Sequence, residues 1–68
     1  MTFITGLCRM ADGNLQAAYE TASIEAENLS DALRRAKEWA ASVDSTEGCW
    51  LQLLHNGKAV ASLKQGEF

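Results

Sequence analysis

Asn28-Leu29-Ser30-Asp31-Ala32-Leu33-Arg34-Arg35-Ala36-Lys37-Glu38-Trp39-Ala40-Ala41-Ser42-Val43 is the stretch whose reading decides the fold. Leu29, Ala32, Leu33, Ala36, Ala40 and Val43 recur at steps of three and four, with Trp39 at the edge of the same stripe. That is the period of one helix face, so the spacing predicts an amphipathic helix over about 29–43. Asn28 is a good N-cap, and Asp31 three residues on can answer it as the second half of a capping box. Asp31 also places negative charge in the first turn, where the helix dipole favours it. A single amphipathic helix cannot bury its stripe alone, so the flanking segments must form the opposite wall.

On the N-terminal side, Thr2 to Met10 reads as a strand. Phe3, Ile4 and Thr5 favour β structure, and apolar residues fall on both faces. Gly6 inside it marks a bulge or a close backbone approach. Ala11-Asp12-Gly13-Asn14 is a hairpin turn. Leu15, Ala18, Tyr19 and Ala22 also fit a short helix, but the turn before them asks for a returning strand, placed at about 17–27. Its apolar alternation changes phase between Tyr19 and Ala22, which predicts a bulge near Glu20–Thr21.

Beyond the helix, Asp44 to Gly48 reads as a loop. A hairpin over about 49–64 then turns at Asn56-Gly57, the strongest short hairpin signal. An unbroken ladder from that turn sets His55 opposite Lys58, Leu54 opposite Ala59, Leu53 opposite Val60, Leu51 opposite Ser62 and Trp50 opposite Leu63. The expected architecture is α+β in ββαββ order: one domain over 1–68, a four-stranded, mainly antiparallel sheet with one helix on one face.

One helix covers one sheet face, yet apolar residues lie on both. The uncovered surplus makes a contact surface the leading functional reading, with Leu51, Leu53, Val60 and Trp50 as candidate interface residues. The expectation is a homodimer formed through sheet surface, in a small non-enzymatic interaction protein. A core of 68 residues is small enough for association to help.

Chemistry is poorly represented. His55, the one histidine, flanks a turn and is expected to be exposed. Cys8 and Cys49 lack the paired spacing of a zinc site and read as small apolar strand residues. Glu20, Glu25, Glu27 and Glu47 fall in no visible cleft, and no glycine-rich phosphate loop occurs. No cofactor or metal is implied. The formal net charge of −3 disfavours nucleic acid and anionic membrane. No secretory signal or membrane-length apolar run is visible, and two free thiols fit a reducing cytoplasm. Arg34, Arg35 and Lys37 form a small basic patch on the helix. They carry the alternative reading, a nucleic-acid-binding or antitoxin-like regulatory module, although Asp31 and Glu38 interleave with them.

The segment Ala22-Ser23-Ile24-Glu25-Ala26-Glu27-Asn28-Leu29-Ser30-Asp31-Ala32-Leu33-Arg34-Arg35-Ala36 couples a strand, a cap and a Leu-x-x-Ala-Leu helix. With the hairpin before it, over about residues 2–43, it resembles the ββα part of the HicB-like antitoxin fold. It is also similar in layout to small bacterial proteins of ββαββ order. The first resemblance implies an antitoxin-like, toxin-neutralising role as the function to consider.

Overall fold

A computed structural model describes residues 1–43 and 48–68. The loop expected at Asp44–Gly48 falls largely outside them. Strand β1 (Thr2–Cys8) is followed by two short strands, β2 (Met10–Ala11) and β3 (Asn14–Leu15), and then by β4 (Glu20–Glu25). Helix α1 (Leu29–Ser42) leads to β5 (Trp50–His55) and β6 (Lys58–Lys64). The main sheet has the order β4-β1-β5-β6, antiparallel throughout. It is the α+β sheet-and-helix arrangement that the hydrophobic pattern implied.

Both hairpin turns follow from their residue types. Asp12 and Gly13 have φ of 53° and 78°, and Asn56 and Gly57 repeat the same pair of values. Two successive residues at positive φ match the twist of the flanking strands, which is why Asp-Gly and Asn-Gly occupy these places. Past the first turn, β2 and β3 pair for only two residues each, Met10 with Leu15 and Ala11 with Asn14. The ladder resumes at Leu7 opposite Glu20. Cys8 and Arg9 are therefore opposed by four residues, Gln16 to Tyr19. The irregularity lies just before the expected bulge at Glu20–Thr21. Gln16 N–H donates to the Arg9 carbonyl at 2.8 Å, and Tyr19 N–H to the Leu7 carbonyl at 2.9 Å. The extra residues bring Tyr19 against the core with the Arg9 guanidinium 4.7 Å from its ring centroid. They also carry Ala18 over Gly6. A Cβ at Gly6 would lie 2.9 Å from the Ala18 Cβ, so Gly6 is a close-approach glycine.

The second hairpin departs from the unbroken register. His55 pairs with Lys58 and Leu54 with Ala59, but Leu53 then pairs with Ala61, Leu51 with Leu63 and Trp50 with Lys64. Val60 is the extra residue of a β-bulge. Because side chains alternate faces, one extra residue reverses everything beyond it. Ala61 and Leu63 thereby join Leu51 and Leu53 on the covered face, while Ser62 and Lys64 turn to the other.

Helix α1 packs across β5, β4 and β1. Beneath it lie Phe3, Leu7, Ile24, Leu51 and Leu53, all buried, with Cys49 completing the layer. Thr5, in the same row, is fully enclosed, and its hydroxyl donates to the Gln52 carbonyl at 3.3 Å. From the helix, the fully covered residues are Ala32, Ala36 and Ala40. Leu33, Trp39 and Val43 pack at the margins of this seam, and Leu29 remains 43% exposed. Thus the stripe is real, but its centre is a row of alanines that lets the helix lie close to the sheet.

Candidate functional site

The sheet's second face carries no helix. By strand alternation it presents Thr2, Ile4, Gly6 and Cys8 from β1, Trp50, Gln52 and Leu54 from β5, Thr21, Ser23 and Glu25 from β4, and Ser62 and Lys64 from β6. Gly6 and Cys8 are covered, with Ala18 lying over Gly6; Ile4 is 40% exposed, and Leu54 and Trp50 are half-buried. Ile4 and Leu54 lie directly opposite each other. An open apolar pair on two interior strands is unusual for a solvated face, where alternation would ordinarily place polar groups.

The four residues expected at an interface are separated by this arrangement. Leu51 and Leu53 are 2% and 1% exposed beneath the helix and belong to the core, because the helix takes their side of the sheet. Trp50 points to the opposite face. Val60, displaced by the bulge, is 41% exposed on the edge strand. Ile4 and Leu54 stand outside those four; strand alternation alone leaves either face open to them, and the placement of the helix puts them on the uncovered one.

The basic residues of the helix are drawn into its own ion pairs. Arg34 bridges Asp31 and Glu38, and Arg35 donates from Nε to Asp31 at 3.1 Å. Lys37 makes no ion pair among the described residues. The N-cap forms as expected: the Asn28 side chain accepts from Asp31 N–H at 2.9 Å. The reciprocal bond reaches one residue further back, from Glu27 N–H to the Asp31 carboxylate at 3.2 Å. Asp31 therefore closes the helix start and holds both arginines.

Those hydrogen bonds, from Arg35 first, then Arg34 and Glu27, lower the Asp31 carboxyl from 3.8 to about 2. A carboxyl depressed in the folded state contributes stability that is complete above its unfolded value and is lost as pH falls. Thermal melts from pH 5 to pH 2 should therefore show stability declining between about pH 4 and pH 2. Asp31→Asn should reduce the melting temperature at neutral pH and flatten this decline. Some slope will persist through Glu25, whose carboxyl is lowered by the Thr2 hydroxyl bond and the adjacent N-terminal amine. An equally steep decline in the variant would exclude Asp31 as its source.

His55 is half-buried rather than exposed. Its ring lies 4.8 Å from that of Phe3, and Nδ1 is 3.1 Å from the Thr2 carbonyl, which accepts. Both cysteines are free and buried. Cys8 stands opposite Trp50, so the neighbouring Cys49 projects to the other side of the sheet. Burial pushes the Cys8 thiol up, and its Sγ lies 3.8 Å from the Gln52 side-chain oxygen. Among the described residues, no three His, Cys, Asp or Glu side chains converge to hold a metal ion, and no helix is long and apolar enough to cross a membrane.

The geometry thus defines a small α+β domain whose most distinctive surface is a half-covered sheet. No family model matches the chain, and no curated protein or solved structure is significantly similar to it.

Proposed function

We propose that the chain is a small non-enzymatic protein-interaction domain that forms a homodimer through the sheet face that the helix leaves uncovered. The observation that carries this reading is the apolar Ile4–Leu54 pair on the two interior strands, Ile4 40% exposed and Leu54 half-buried, with Trp50 further along β5. Covering it with the same face of a second copy removes apolar surface from water on both sides. The Arg34–Arg35–Lys37 patch supports nucleic-acid contact less well, since both guanidinium groups are bound to carboxylates of their own helix.

Light scattering over a dilution series tests the reading. The expected mass at high micromolar concentration is at least twice the 7.4 kDa of one chain. Leu54→Lys, which places a charge on the open face beside Ile4, should halve that mass without altering the circular dichroism spectrum. A wild-type monomer at high micromolar concentration, or a Leu54→Lys protein of unchanged mass, would overturn it.

A further inference from the structure

The two edges of the sheet are built differently. Strand β6 ends in Lys58 and Lys64 and is interrupted by the Val60 bulge. Lysines and bulges are devices that prevent edge pairing. Strand β4 runs from Glu20 to Glu25 with no bulge, proline or lysine. Its outward hydrogen-bonding groups can be assigned from its inner ladder. Met1 and Ala26 exchange both main-chain bonds, each at 3.0 Å. The bonded pairs then alternate, so Ile24, Ala22 and Glu20 are directed toward β1. Thr21, Ser23 and Glu25 consequently direct their N–H and C=O groups away from the sheet.

We propose that β4 pairs with β4 of a second copy, antiparallel, about a two-fold axis at Ser23. This contact is separate from the face contact proposed above and goes beyond it. In this register Ser23 meets Ser23 of the second copy, Thr21 meets its Glu25, and Glu25 meets its Thr21. All three are outward-facing residues, so each pair exchanges two main-chain bonds. The register also opposes no like charges. Glu25 faces a hydroxyl, Glu20 faces Ala26, and the two Glu25 residues stand about 13 Å apart, beyond the screening length at physiological salt. On the helix side, Ile24 meets Ala22. The groove between β4 and α1, lined by Ile24, Arg35, Glu38 and Trp39, then faces its own copy. Closing it covers the remaining exposed part of the partly buried Trp39 indole, a burial that a single strand pair lacks.

For β6 the corresponding pairing about Ala61 would set Lys58 opposite Lys64 of the second copy, and the bulge would interrupt the ladder. Charge and geometry therefore both assign the self-pairing edge to β4.

Ser23→Cys is the decisive variant. Residues in a bonded antiparallel pair have Cα atoms about 5.5 Å apart, within disulfide range. Under a mild chemical oxidant, this variant should form a covalent dimer on a non-reducing gel. Thr21→Cys should not, because its counterpart lies about 13 Å away. An equimolar mixture of Thr21→Cys and Glu25→Cys chains should cross-link between the two. Ser23→Pro removes only an outward N–H and should halve the mass in solution while keeping the native spectrum. The proposal is overturned if Ser23→Cys cross-links no more than Thr21→Cys, or if folded Ser23→Pro keeps the wild-type mass. Failure at the face is distinct from failure at the edge: the first leaves mass insensitive to Leu54→Lys, the second leaves it insensitive to Ser23→Pro.

Discussion

Leu53→Ala is expected to remove about 2–5 kcal/mol of folding stability, the range for truncating a buried leucine. Leu53 is 1% exposed, lies between Thr5 of β1 and Ala61 of β6, and is roofed by the helix. Its neighbours are held by two ladders and cannot collapse into the space left behind. A chain of this length has roughly 3–10 kcal/mol of stability in total, so the loss is comparable with the whole. In urea, with a slope of about 1 kcal/mol/M for a small domain, the midpoint should fall by about 2 M or more. Val60→Ala, by contrast, should change stability by about 0.5 kcal/mol or less, since Val60 lies open on the edge strand. The experiment separates two roles that the hydrophobic pattern allowed for Leu53. A core residue lowers the unfolding midpoint when truncated. An interface residue would lower the mass while leaving the midpoint of the separated chain unchanged.

The helix and both hairpin turns were legible because local chemistry determines them. Asn28 and Asp31 supply a cap, the three- and four-residue spacing supplies a stripe, and Asp-Gly and Asn-Gly supply positive φ. The Val60 bulge was not legible in the same way. No residue type marks it, and Lys58 to Lys64 is compatible with an unbroken ladder when read alone. The requirement appears only when the helix is placed over Leu51 and Leu53. Ala61 and Leu63 must then share their face, and only an extra residue after Ala59 reconciles that with a two-residue turn. The candidate interface depended on the same choice. Which face the helix takes is a long-range decision, so Leu51, Leu53 and Trp50 were grouped although they belong to opposite sides. Gly6 announced a close approach, but its partner Ala18 could not be named without the four-residue detour before β4.

Ala36→Leu is the sharpest test of how the helix meets the sheet. Ala32, Ala36 and Ala40 are fully or almost fully covered, and Ala36 is 0% exposed at the centre of that row. Alanine and leucine have nearly the same helix propensity, so the substitution leaves the helix itself almost unchanged. What it changes is volume in the fully covered seam between the helix and the buried layer of the sheet that holds Leu51, Leu53 and Ile24. Three added carbons must lift the helix or force a strained rotamer, at about 1–3 kcal/mol. Leu29→Ala on the same helix removes three carbons from a residue that is 43% exposed, and should alter stability by about 0.5 kcal/mol or less. The usual expectation for an amphipathic helix, in which large apolar residues are indispensable and alanines tolerant, is thereby reversed. Denaturant melts of the two variants beside the wild type check this directly. If Ala36→Leu proves neutral or stabilising while Leu29→Ala is costly, the helix is rotated about its axis from the orientation described. Leu29 would then face the sheet, and the alanine row would lie to one side of the contact.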